Sequence, residues 1–176
     1  MRKITGVLIA VCMLVSCQPK AKITTIDHPV CDVPTDSTRG AASMEALSCY
    51  FYKSLTGDIS FDELERYIPD SADIVTIYKI TKTEPGDANV KGNADTVLNQ
   101  LHRQWIKTRS EAAELKANWS GAELEQLQLI EIENQKIPSQ KLIISCKSGN
   151  TVLRATAKCM QIGDRWYIGE DIKFGV

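Results

Sequence analysis

The stretch KLIISCKSGNTVLRATAKCMQIGDRWYIGEDIKF, residues 141–174, decides the fold. It contains Gly149-Asn150 and Gly163-Asp164, dipeptides that close two-residue β-hairpins because Gly, Asn and Asp accept positive φ at low cost. Each turn fixes a register. With Ser148 opposite Thr151, Cys146 faces Leu153, Ile144 faces Ala155 and Leu142 faces Ala157. With Ile162 opposite Arg165, Cys159 faces Ile168, Ala157 faces Glu170 and Ala155 faces Ile172. Directly opposed residues share a face of the sheet. Both turns therefore place Leu142, Ile144, Leu153, Ile168, Ile172 and Phe174 on one side. That agreement predicts strands over 141–147, 152–161 and 165–174, and a fourth is expected over 127–133.

Toward the N-terminus the apolar period changes from two to three or four. Val97, Leu101, Trp105, Thr108, Ala112, Leu115 and Trp119 form a continuous stripe for a long helix that Asn93 or Asp95 can cap. Residues 82–93 contain Pro85, Gly86 and Gly92 and read as a loop. Residues 73–81 alternate Ile and Val with polar residues, apart from Ile74-Val75, and predict a strand. Ser60-Phe61-Asp62-Glu63 is a capping box for a short helix that ends before Pro69. Met44, Leu47, Phe51 and Leu55 share one face of a first helix over 38–55, with Gly57 suited to its C-terminal cap.

This order, two helices, a strand, a long helix and four antiparallel strands, resembles nuclear-transport-factor-2-like and cystatin-like domains. The ending Gly163-Asp164-Arg165-Trp166-Tyr167-Ile168 is similar to that of small lipoproteins in the same superfamily, lumazine-binding-like families among them. The resemblance covers residues 38–176. It implies an α+β fold in which a curved antiparallel sheet wraps a long helix as a cone. Such domains serve as isomerases, ligand binders and interaction modules, so the fold alone assigns no function.

The N-terminus carries an address. Arg2 and Lys3 precede an uncharged, mostly apolar run over 4–15, too short for the roughly 20 residues that a spanning helix needs. Leu14-Val15-Ser16-Cys17 resembles the lipobox of bacterial lipoproteins, which implies a signal peptide over 1–16 and lipidation at Cys17. Residues 17–37, with Pro19, Pro29 and Pro34, then read as a lipidated tether. Gln18 after the lipid cysteine, and no acid before Asp27, favour the periplasmic face of the outer membrane by the same resemblance. The first sixteen residues hold two of the 21 basic residues and none of the 22 acidic ones, leaving a charge of −3 on the remainder. That charge supplies no basic footprint for nucleic acid. The expected partners are the membrane, through Cys17, and a protein or small-molecule ligand.

Catalytic motifs are absent from the sequence, and no cofactor, metal or catalytic residue is assigned. His28 falls in the tether and His102 beside the stripe of the long helix. The isomerases of the superfamily use an inward Asp or an Asp–His pair. Here Glu170 is the candidate, because the deduced register turns it inward beside Ala157 with Trp166 and Phe174 as walls. Desolvation would raise the pKa of such a carboxyl, and it could bind a ligand's donor group. The leading expectation is a non-catalytic binding module with Glu170, Trp166 and Ala157 at its ligand site. The alternative is an isomerase-like enzyme with Glu170 as its pocket acid.

Beyond Cys12 and Cys17, four cysteines remain, too widely spaced for a zinc motif. Cys146 and Cys159 share a face but lie six residues out of register, roughly 20 Å apart along the strands. Cys49 lies five residues after Met44, on the side of the first helix opposite its apolar stripe. Cys31 precedes that helix on a tether that can fold back, so a Cys31–Cys49 disulfide is expected, with Cys146 and Cys159 as buried thiols; the competing reading leaves all four thiols free.

Overall fold

The computed structural model describes residues 21–32, 38–83 and 87–175. The expected signal peptide over 1–16, the lipidation site Cys17 and residues 33–37 of the tether lie outside the described residues. The fold is α+β, with helices packed on an open five-stranded antiparallel sheet of order β1-β2-β3-β4-β5. The strands are β1 (Ile23–Asp27), β2 (Glu123–Ile132), β3 (Ser139–Ser148), β4 (Thr151–Ile162) and β5 (Arg165–Gly175). Among the described residues no helix is long and apolar enough to cross a membrane.

The sheet is a meander whose inner face is the apolar face read from the two turns. Gly149 and Gly163 hold φ of 61° and 64°, and the pairs Cys146–Leu153, Ile144–Ala155, Leu142–Ala157 and Cys159–Ile168 form as deduced. Beyond Ile168 the register departs from the reading. Thr156 pairs with Lys173, Lys158 with Glu170 and Cys159 with Ile168, so β5 carries an extra residue on each side of Glu170. Each bulge shifts the side-chain alternation by one. The first sits at Gly169 and turns Glu170 outward. The second, by Asp171 at φ 62°, turns Ile172 and Phe174 back, so that Ala155 faces Phe174 instead of Ile172.

The helices begin at side-chain caps. Ser43 caps α1 (Met44–Thr56), which ends at Gly57 in the left-handed conformation, and Ser60 and Glu63 form the capping box of α2 (Phe61–Leu64). A 3₁₀ turn over Glu65–Tyr67 follows. The predicted strand over 73–81 is instead helix α3 (Ser71–Thr81). Asp70 accepts from the amides of Ala72 and Asp73, and Asp73 accepts from the amide of Asp70. This reciprocal cap commits the segment to a helix, in which Ile74, Ile77 and Thr81 share a face, whereas in a strand Ile74 and Ile77 would point to opposite sides.

The expected loop over 82–93 is likewise mostly helix. After α3 closes at Lys82, α4 (Asp87–Glu114) starts just past Gly86 and runs through Gly92, at about 1 kcal/mol relative to Ala. The amide of Asn93 bonds the Tyr78 hydroxyl and ties α4 to α3. Leu101, Trp105, Thr108 and Ala112 are buried as the stripe requires. The helix ends before its last two stripe members. Leu115 is exposed, and Trp119 reaches the core from the following turn.

Helix α4 lies along β5, where Gln104 Oε1 accepts from the Ile172 amide at 3.0 Å and covers that sheet edge. At the other edge β1 pairs with β2 from Ile23–Ile130 to Asp27–Gln126, so residues 23–27 of the expected tether belong to the sheet. Ile, Thr, Thr and Ile favour a strand, but Ile26 alone packs against the core, which left no alternation to read. Farther along, Cys31 and Cys49 form a disulfide with Cα atoms 5.2 Å apart, while Cys146 and Cys159 are buried free thiols.

Candidate functional site

The three residues expected to share a ligand site are separated by the fold. Glu170 faces outward, where its Oε1 takes the Lys158 ammonium at 2.8 Å, and it borders a hollow of about 230 Å³ between α3, α4 and β5. That hollow is lined mainly by Ile74, Ile77, Val97, Leu101 and Met160. Met160 fills the space left by Gly169, where a Cβ would collide with its Cε. Ala157 is fully buried under Leu142, and its strand borders a hollow of about 220 Å³ on the outer face beside Lys141, Lys158 and Lys173. Trp166 stands apart from both.

Trp166 lines a cleft of about 660 Å³ at the end of the sheet where the chain enters. Its walls follow from strand alternation. Glu131 pairs with Gln140, and Gln161 pairs with Trp166, on the inner-face positions that continue past Leu129, Leu142 and Cys159. The face that is apolar under the helices thus becomes polar beyond them. The β2–β3 turn adds Glu133, Asn134 and Gln135, and Lys22 borders the cleft from just before β1. Trp166 is fixed through its backbone, whose amide and carbonyl both bond Ala41 at 2.9 Å.

One buried polar group here, the Gln140 side-chain oxygen, lacks a protein partner among the described residues. Such an acceptor costs about 1–3 kcal/mol to leave unmet. The indoles of Trp105 and Trp119 donate to Ser54 Oγ and the Thr108 carbonyl, whereas the Trp166 indole is half-buried at the cleft. Sequence reading found Trp166 but neither glutamine. The signal was the polar residue at positions 131, 140 and 161, each in phase with an apolar inner face.

A cluster of ionisable groups sits elsewhere, where Arg39 bonds Asp70 at 3.0 Å beside Asp73 and Tyr167. Burial raises the Asp73 carboxyl above its ordinary value, helped by the Asp70 charge and opposed by the Asp70 amide, Arg39 and the Tyr167 hydroxyl. Burial, with Asp73 adjacent, pushes Tyr167 up to about 12. This cluster joins the start of α3 to β5 and has a structural consequence. A raised carboxyl pKa means that the fold binds the proton more tightly than the unfolded chain. Stability contributed by Asp73 is therefore gained as pH falls toward the ordinary carboxylate range and lost as pH rises through the folded-state pKa. The melting temperature of Asp73→Asn, measured against the parent, is expected to compare more favourably at pH 7 than at pH 4.5. The opposite slope would contradict this account.

His102 is exposed and stacks on Phe61 with ring centroids 4.2 Å apart. His28 lies just beyond β1 at φ 48°. Among the described residues no group of three or more His, Cys, Asp or Glu side chains could hold a metal ion. Compared with known proteins, the chain matches no family model, no curated protein and no solved structure.

Proposed function

We propose that this chain is an exported lipoprotein, anchored through Cys17 on the periplasmic face of the outer membrane. In this reading residues 38–176 are a cone-shaped, nuclear-transport-factor-2-like module that binds a partner protein or small ligand without catalysis. The basic start, the short apolar run and the Leu14-Val15-Ser16-Cys17 ending support the address. A Cys31–Cys49 disulfide fits an oxidising compartment. The packing of α4 along β5 supports the cone.

The observation that carries the binding role is the Trp166 cleft. It is larger than the hollows bordered by Glu170 and Ala157, and its volume lies within the range of small-molecule sites. The isomerase alternative rested on an inward, unpaired Glu170, and the outward Lys158–Glu170 pair removes that basis.

Strand β1 also changes the geometry of anchoring. With Ile23 in the sheet, five residue steps separate Cys17 from Lys22, a reach of at most about 18 Å. A lipid at Cys17 therefore holds the Lys22 side of the cleft close to the membrane surface. The test is replacement of Cys17 by Ser in the full chain. The variant is expected to leave the membrane fraction and to lose labelling by a fatty-acid probe. Retention in membranes with continued labelling would overturn the anchor.

A further inference from the structure

We infer that the Trp166 cleft takes a saccharide, a ring bearing adjacent hydroxyls. This rests on the reading of the cleft as a binding site and specifies its ligand. The lining offers one aromatic surface, the half-buried Trp166, together with the amides of Gln140, Gln161, Asn134 and Gln135. Each amide presents a donor and an acceptor a fixed distance apart. Adjacent hydroxyls present the same pair in return, and the C–H face of a sugar ring covers an indole. The Gln140 oxygen lacks a donor among the described residues, and a ligand hydroxyl can supply one.

Other ligand chemistries match less of the lining. Glu131 and Glu133 outweigh Lys22, so a phosphate or nucleotide meets net negative charge. A hydrocarbon chain would bury the amides without partners, which is costly. An ammonium could sit over Trp166 between the two glutamates, but it has no acceptor for the amide N–H groups or the indole. The hydroxylated ring is the one class that answers donors, acceptors and the aromatic face together.

The test titrates the purified full chain, in a detergent without a sugar headgroup, with cellotriose, chitotriose and maltotriose by calorimetry. Spermidine and inorganic phosphate serve as the cationic and anionic arms. At least one trisaccharide is expected to bind with Kd of about 1 mM or tighter. Trp166→Ala should weaken that binding about tenfold or more, and Trp166→Phe less, because a ring remains. Gln161→Ala, which leaves the Ala41–Trp166 backbone pair in place, should also weaken it, and melting curves establish that each variant is folded. Saccharide binding indifferent to both positions overturns the inference. Trp166-dependent binding of spermidine or phosphate without any trisaccharide overturns the ligand class while leaving the cleft a binding site. No binding in any arm removes both readings.

Discussion

Replacing Cys31 and Cys49 together by serine is expected to destabilise the domain by about 3 kcal/mol, the chain-entropy value for a crosslink of this span. The linked residues are 18 apart, and the loop between them enters α1 directly. In the unfolded chain the crosslink forbids the extended conformations of that loop, and serine restores them. In the folded chain Cys49 is buried against the returning segment, so the substitution also leaves a polar hydroxyl where sulfur was packed. For a domain of this length the loss corresponds to a fall in melting temperature of roughly 6–12 °C. The double variant is the informative one, because a single substitution leaves an unpaired thiol. Cys146 and Cys159 should stay unreactive in the native protein, since burial pushes the Cys146 thiol up to about 12 and Cys159 still higher. A fall of less than about 2 °C in the double variant would show that the crosslink does not constrain the unfolded chain as argued.

The parts of this fold that were legible in the sequence are those where one local signal sufficed. Two glycine turns set the strand pairing from Ser139 to Cys159, and Ser60 with Glu63 marked α2 before any packing was known. The parts that were missed needed a second level of information. A bulge is one extra residue on one strand, so a register counted out from a turn stays correct only as far as the first bulge. Gly169 marked the site, as a glycine inside a strand pattern often does, but nothing local said which way Glu170 would then point. Helix α3 was hidden because Val75 and Ile77 alternate with polar neighbours as a strand would, and the deciding evidence was Asp70, just ahead of the helix, with Asp73 in its first turn. The cleft was half legible. Trp166 stood out as an aromatic, while Gln140 and Gln161 became informative only once the strands placed them beside it.

The largest single-residue effect is expected at Trp119. Substitution by alanine should cost about 3–5 kcal/mol, the range for emptying a buried tryptophan site. The side chain is 1 % exposed, its indole donates to the Thr108 carbonyl at 3.1 Å, and its ring meets Phe174 edge-on at 6.2 Å. It therefore links the last turns of α4 to the end of β5 from a position outside any helix. Trp119→Phe keeps an aromatic ring but removes the donor and part of the volume, so a smaller loss is expected. Leu115 is the control. Both residues lie on the same stripe in the sequence, and a helix running unbroken through 119 would bury them alike. The helix ends at Glu114, and Leu115 is 42 % exposed. Leu115→Ala should accordingly change stability by about 0.5 kcal/mol or less. Urea unfolding of the three variants decides the matter. Against a total stability of about 5–15 kcal/mol, Trp119→Ala would bring the domain close to its unfolding threshold. Equal losses at 115 and 119 would mean that α4 continues to Trp119 and that the turn after Glu114 is misplaced.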